Sequence, residues 1–369
     1  MSAPSRDAAR AVLARFAAFG TLTSLEPHTQ GLIHHAWVAT LESAGTAHRY
    51  LLQQINRHVF HRPGDVIENM RRITSHLAQR LAREGATDAT RRVPSLVPTR
   101  EGGLAHVDAS GETWRLVPWI AGTRSVARAA TEAEAHETAR AFGCFLRQLG
   151  DLPPPPLHAT IPGFHDTGAR VVALERVASE DRAGRLSACR DEIAALLDRR
   201  PLATALADPF ARGEIPERPV HNDAKIANVL FDAASGEGLA VVDLDTTMPG
   251  LAPHDFGDLV RSVVSDSEED ERDLGRIRVR SGVFAALAGG FLAGIGGALS
   301  SAERSLLVTG ASVITYEQAA RFLADHLDGD RYYRTTRPGQ NLDRARAQLE
   351  LVASLEAARP ELERIVAAC

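Results

Sequence analysis

At 369 residues the chain is too long for one simple domain, and its 44% hydrophobic and 24% charged residues supply ample apolar side chain for a core. A net charge of −5, a pI near 6.3 and the absence of any Lys/Arg run argue against a nucleic-acid partner. Three widely spaced cysteines, Cys144, Cys189 and Cys369, speak against a disulfide framework or a zinc cluster. No apolar signal core follows Arg6, Asp7 and Arg10, so a reducing cytoplasm is the expected location.

Residues 7–19 place Ala, Val, Leu and Phe at helical spacing and close at Gly20, which predicts a first helix. Leu32–Leu41 and His48–Ile55 read as strands about a turn at 42–45. Gly31 either serves that entry as a turn or lets backbone approach a phosphate. Pro63-Gly64 precedes a helix over 65–83, with Val66, Ile67, Met70, Ile73, Leu77 and Leu81 on one face. Strands are expected at 94–99, 104–107 and 113–120. Strand, strand, helix, three strands is the order of a protein-kinase-like amino-terminal lobe, with 121–123 as its hinge.

Beyond the hinge the pattern turns helical, at 131–149, 166–186, 187–200, 202–211, 253–265, 281–293, 302–328 and 341–367, with a stiff tetraproline at 153–156. The uncharged run 282–301 has the length of a membrane span, but its Gly and Ala carry little transfer energy, and it reads as a buried helix ending near 294–297. The expected fold is α+β and bilobal, a small β-rich lobe over 1–121 and a larger, mostly α-helical lobe over 122–369.

The densest polar pattern is His221-Asn222-Asp223-x-Lys225-x-x-Asn228, an apolar strand, a turn, a second apolar strand, and then Asp243-Leu244-Asp245. Phosphoryl transfer to a hydroxyl needs a proton acceptor, oxygen ligands for Mg²⁺ and positive charge near the transferred group. Asp223 suits the base and Lys225 the charge. Asn228 and Asp243 suit the metal, and Asp245, on the same side of an extended chain, suits a second carboxylate ligand. Asp255-Phe256-Gly257 spells the protein-kinase metal motif, but lies twenty-seven residues past Asn228 with no apolar strand before it. It reads instead as a helix start, with Asp255 as N-cap and as a support for the catalytic loop.

These segments, with Val242-Asp243-Leu244-Asp245-Thr246 and Met248-Pro249-Gly250, resemble the aminoglycoside phosphotransferase/choline kinase superfamily and, within it, the N-acetylhexosamine 1-kinases. Tyr50–Asn56, Trp114-Arg115, Arg321–Asp325 and Gly329-Asp330 with Tyr332 extend the likeness over about residues 20–355. The resemblance implies ATP- and Mg²⁺-dependent phosphorylation of the anomeric hydroxyl of N-acetylglucosamine or N-acetylgalactosamine. It implies a small-molecule sugar substrate, neither nucleic acid nor membrane as partner, and a monomer or homodimer. It also implies nucleotide contacts at Gly31 and Gln53 and sugar contacts at Asn222, Arg321 and Tyr332.

The sequence departs from that pattern in places. Gln53 stands where many kinases have a lysine, Leu32, His34 and His35 replace a His-Ile-Asn-type segment, and Ser262 replaces an aromatic. A different hydroxyl acceptor (aminoglycoside, other sugar or amino alcohol) is the alternative. The run Asp266–Glu271 is the acidic candidate for a polycation, or else an exposed acidic loop. A non-catalytic pseudokinase would lose a base or metal residue, and none is lost.

Overall fold

The computed structural model describes residues 4–28 and 33–369. Gly31 and Leu32, expected beside nucleotide and sugar, lie outside the described residues.

The amino-terminal part is a five-stranded antiparallel sheet of β1 (Thr21–His28), β2 (His35–Ser43), β3 (Thr46–Gln54), β4 (His106–Val107) and β5 (Thr113–Pro118), in the order β1-β2-β3-β5-β4. The first helix, α1 (Arg6–Leu13), is shorter than its periodicity suggests. Phe16 leaves the helix to bridge Thr99 and enters the sheet's core with Leu25, Trp37 and Trp114. β1 escapes a reading by alternation because it buries only Leu25 among polar neighbours. Residues 94–99 form no strand: Pro94 and Pro98 lack the donors a ladder needs, and only the N–H groups of Val97 and Thr99 find backbone acceptors.

Pro63 occupies the first turn of α2 (Pro63–Arg83), where its missing N–H costs nothing. Asn69, buried on that helix, donates from Nδ2 to the carbonyls of His158 (2.8 Å) and Thr247 (3.2 Å), tying the sheet-bearing part to the helical part. After α3 (Ala89–Arg92) the chain forms β6 (Thr123–Ser125), then α4 (Glu132–Leu149), α5 (Thr167–Glu180), α6 (Arg190–Asp198) and α7 (Ala207–Ala211). Two small ribbons follow: β7 (Arg218–Val220) pairs with β10 (Met248–Gly250), and β6 joins the hairpin β8 (Val229–Asp232) and β9 (Gly238–Val241). The helices α8 (Ala252–Val263), α9 (Ser281–Ile295), α10 (Ser301–Ser305), α11 (Leu307–Leu327) and α12 (Gln340–Ala368) complete the chain. The expected single helix at 302–328 divides at Leu306, where Ser300 and Glu303 close a capping box on α10.

Two helix crossings are made by glycine. A Cβ on Gly290 would lie 2.1 Å from the His136 carbonyl oxygen, and one on Gly294 2.3 Å from that of Arg140, so α9 seats directly on the backbone of α4. The glycine content of the 282–301 run is therefore a packing device. α9 is long and apolar enough to cross a membrane by composition, yet its Phe284, Leu287 and Phe291 belong to the main core. Likewise a Cβ on Gly257 would meet the Gly310 carbonyl oxygen at 2.3 Å where α8 crosses α11.

Candidate active site

The loop after β7 is fixed from below by one carboxylate. Asp255, inside the first turn of α8, accepts the backbone N–H groups of His221 and Asn222, both at 2.7 Å. Leu251, not Asp255, is the N-cap of that helix. Burial pushes the Asp255 carboxyl up to about 6, against the two N–H donors that favour its ionised form. Each residue of the misleading triplet has a structural task. Asp255 holds the loop, Phe256 packs on Phe284 and Phe291, and Gly257 allows the α8–α11 crossing.

Asn222 adopts φ +62°, a left-handed conformation that asparagine tolerates. Its buried side chain donates to the Thr246 carbonyl at 3.0 Å, while Thr246 Oγ1 donates to the His221 carbonyl at 2.8 Å. The expected sugar contact from Asn222 is thus corrected. Its buried amide stitches the loop to the 243–247 segment.

Asp223 stands half-buried above this platform. Lys225 Nζ donates to Asp223 Oδ2 at 2.7 Å, and Asn228 Nδ2 donates to the same oxygen at 3.1 Å and to the Asp223 carbonyl at 2.9 Å. Burial alone would raise the Asp223 pKa. The lysine and the asparagine amide outweigh it and hold the carboxyl below its ordinary range. Lys225 is the sole lysine in the sequence, and its pairing with Asp223 raises its own pKa against burial.

Asp243 and Asp245, two residues apart, have opposite environments. Asp243, at φ +62°, opens onto the cleft and makes no side-chain hydrogen bond to a described residue. The surrounding protein and the carboxylates of Asp245 and Asp223 push its pKa up. Since solvent reaches the group, the like charges are the cause to weight. Asp245 is buried with both oxygens occupied, one by Arg115 Nη1 and the other by Arg115 Nη2 (3.0 Å) and His34 Nε2 (2.6 Å). Arg115 and His34 hold it well below the carboxylate range despite burial. The expectation that Asp245 binds metal is therefore corrected, because the carboxylate is buried and both of its oxygens are engaged by Arg115 and His34. Asp243 and the Oδ1 of Asn228 remain as oxygen donors. A crowded carboxylate without a hydrogen-bond partner among the described residues, beside an amide oxygen, fits Mg²⁺, which takes one or two protein oxygens and fills its octahedron with phosphate and water.

Gln53, at the strand position of the missing lysine, pairs across the ladder with Arg115 and accepts from its Nε at 2.9 Å. Arg115 is the functional residue that pattern reading missed. An arginine in a strand carries no signal of its own, and only the register of β3 against β5 places it beside position 53. His34 accepts the Asn56 N–H at Nδ1 (3.1 Å), so Nε2 carries the proton donated to Asp245. Two side chains of the sheet thus grip one carboxylate of the helical part.

Arg321 and Tyr332 are brought together behind the catalytic loop. Arg321 is almost wholly enclosed, lies over Phe164 (5.4 Å) and Tyr333 (5.7 Å), and neighbours Glu317. Tyr332 is exposed, edge-on to Tyr333 at 4.8 Å. Beneath them His165 donates from Nδ1 to Glu317 (3.0 Å) and from Nε2 to the carbonyl of Asn222 (3.0 Å), so both ring nitrogens carry protons. Burial would lower the His165 pKa, but Glu317 raises it, and Glu317 falls to about 2 in return. His254, stacked 4.8 Å from His165, is driven down to about 3 by burial and by that neighbouring charge.

The acidic run is not a free anionic loop. Glu268 pairs with Arg128 (2.7 Å), Glu269 with Arg344 (3.4 Å) and Arg261 (3.6 Å), Asp270 with Arg337 (2.9 Å), and Glu271 with Arg276 (3.1 Å).

A β-sheet joined to a helical part by a hinge, with base, amide and carboxylate on one loop edge, defines a kinase-like phosphotransferase. Residues 24–292 match the phosphotransferase enzyme family, and the chain belongs to that family. Its fold is shared with an aminoglycoside phosphotransferase from Alicyclobacillus acidocaldarius (TM-score 0.59, 16% identity, 96% of each chain covered). It is shared with a spectinomycin phosphotransferase solved with ADP and spectinomycin (TM-score 0.55, 13% identity, 96% of this chain and 99% of that one). A choline kinase from Cryptosporidium parvum Iowa II is also similar (TM-score 0.56, 12% identity, 92% of this chain and 90% of that one). The chain is a small-molecule phosphotransferase of the aminoglycoside phosphotransferase/choline kinase type.

Proposed function

We propose that this protein transfers the γ-phosphoryl group of ATP to a hydroxyl of a small neutral acceptor, with the anomeric hydroxyl of an N-acetylhexosamine as first candidate. The observation that carries the reading is Asp223, oriented by Lys225 and Asn228, facing the same cleft as the unpartnered Asp243. ATP is assigned to the cleft between residues 1–121 and 122–369. The acceptor oxygen attacks the γ-phosphorus as the bond to the β-phosphate oxygen breaks, giving ADP. Asp223 takes the hydroxyl proton, and Lys225 offsets charge beside it. The low pKa of Asp223 keeps it deprotonated at neutral pH, so its part is to orient the hydroxyl and receive the proton late. Bound Mg²⁺, held through Asp243 and Asn228, would neutralise charge on the phosphate oxygens.

The N-acetylhexosamine choice rests on the sequence resemblance together with Arg321 and Tyr332 standing side by side. The paired state of Glu268–Glu271 weighs against a polycationic aminoglycoside, since these acidic side chains already have arginine partners. Three free cysteines suit a reducing cytoplasm. The test is an ATP-consumption screen over N-acetylhexosamines, hexoses, choline and aminoglycosides, with Asp223→Asn as control. Turnover of N-acetylglucosamine or N-acetylgalactosamine to the 1-phosphate is expected. Turnover of an aminoglycoside alone overturns the choice.

A further inference from the structure

A cavity of about 220 Å³ opens beside Lys225, between the catalytic loop, the end of α8, the 265–269 strap and α12. Its polar lining comprises the charged Arg128, Lys225, Arg261, Glu268 and Glu269 and the uncharged Ser262, Ser265, Ser267 and Gln348. Gln348 does not belong with its neighbours. α12 otherwise buries Ala345, Ala347, Leu351, Val352 and Leu355 along this stretch, and a glutamine only 5% exposed interrupts them. Its carboxamide oxygen is buried and has no hydrogen-bond partner among the described residues. A buried amide oxygen left unpaired costs roughly 1–3 kcal/mol. Gln348 lines the cavity, and because no described residue bonds its carboxamide oxygen, rotation about χ3 would turn that oxygen or the two amide donors toward the space.

We infer that this cavity receives the acceptor and that Gln348 is a specificity-determining residue, its carboxamide reading an amide or paired hydroxyls of a neutral sugar. The inference rests on the kinase reading above and sharpens its substrate class. The cavity's electrostatics argue for neutrality. Its cations are already matched: Lys225 by Asp223 and Arg261 by Asp258 (2.7 Å). Its carboxylates, Glu268 and Glu269, hold Arg128 and Arg344. Among the described residues each charged group on these walls has an opposite partner, whereas Ser262, bonded to the Leu259 carbonyl, and Ser265 and Ser267, bonded to each other, keep acceptor lone pairs for uncharged hydrogen bonds beside the amide. The small Ser262 side chain leaves room beside Lys225, whose Nζ reaches Asp223 at 2.7 Å.

Gln348→Met keeps the volume and removes the amide. In wild type and variant we would measure binding of N-acetylglucosamine, N-acetylgalactosamine, glucose, choline and kanamycin by calorimetry. Steady-state KM and kcat for any member turned over, nucleotide affinity and the unfolding midpoint complete the set. The expected result is a rise of about 10- to 100-fold in Kd and KM for the neutral acceptor, converted from the cost of the unpaired amide. kcat and nucleotide affinity should stay near wild type, and the unfolding midpoint should be equal or higher, because an unpaired buried polar group has gone. Unchanged acceptor Kd and KM in Gln348→Met overturns the inference, as does a wild type that binds none of the neutral sugars. If N-acetylhexosamines are turned over with KM unmoved by the variant, only the role of Gln348 fails. If another neutral sugar is the acceptor and its KM rises, the hexosamine reading fails and the role of Gln348 stands. Turnover of choline or kanamycin alone removes both.

Discussion

Between Arg218 and Gly250 the chain bonds mostly to itself: β7 to β10, β8 to β9, Asn222 to Thr246, and Asn228 to Asp223. The wall on the helical part is assembled from two groups, Phe164 with Arg321 and the cavity residues Arg261, Glu269 and Gln348, drawn from five separate segments. The first region places a few side chains accurately because their partners are close in sequence and the loop has few ways to fold. The second must satisfy packing first, and its polar groups pair wherever helices happen to bring them. On the proposed reading, this difference separates chemistry at the edge from choice of acceptor at the wall.

Substitutions at the edge should give the largest effects on rate. Asp223→Asn removes the proton acceptor while keeping the shape, and kcat should fall by about 10²- to 10⁴-fold with nucleotide affinity retained. Steady-state kinetics beside nucleotide titration check this, and a variant with most of its kcat would break the assignment. The pair Asp243→Asn and Asp245→Asn sharpens it. Asp243→Asn should abolish turnover and weaken Mg²⁺ activation, yet leave the unfolding free energy equal or higher, because it relieves repulsion from Asp223 and Asp245. Asp245→Asn leaves Arg115 and His34 buried without their carboxylate and should cost about 3–5 kcal/mol in urea unfolding. If the two variants behaved alike, the division between metal ligand and structural tie would fail.

The wall should respond to pH through stability. Glu317 lies near 2 in the folded protein against an ordinary 4.5, so its contribution is complete above about 4.5 and is lost as pH falls toward 2. His165 is raised above 6.5, so its share is complete below that value and fades as pH rises through its folded pKa. The pair should therefore stabilise most between about 4.5 and 6.5. Thermal unfolding across pH should show a steep acid limb that Glu317→Gln flattens. The smallest effect belongs to the strap. Glu269→Gln breaks half-exposed ion pairs to Arg344 and Arg261 and should change stability by less than about 1 kcal/mol, diminishing further with added salt.

The readings that held were those made of local signals. Pro63 opening α2, the hairpin around 232–238, and the His221–Asn228 spacing each depend on backbone preferences and short-range bonds that a linear string displays. The readings that failed needed a partner the string does not show. Asp245 looked like a ligand because it shares the polar company of Asp243, and only Arg115 and His34, 130 and 211 residues away, take its oxygens. Asn222 looked like a sugar contact until the Thr246 carbonyl claimed its amide. The acidic run 266–271 is exposed at Asp266, Glu268 and Glu269 as expected, and what the string could not show is that four of its acids pair with arginines from other segments.

The sequence by itself determined the reaction edge: a base, an amide and a carboxylate at fixed spacing about a short hairpin, where neighbours along the chain are also neighbours in space. Tertiary structure alone decided which of two carboxylates is free, which arginine stands beside Gln53, and that Gln348 faces a cavity with its carboxamide oxygen unpaired. The physical reason is the same in each case. A buried polar group takes its character from whatever the fold brings within about 3 Å of it, and that partner can lie anywhere along the chain.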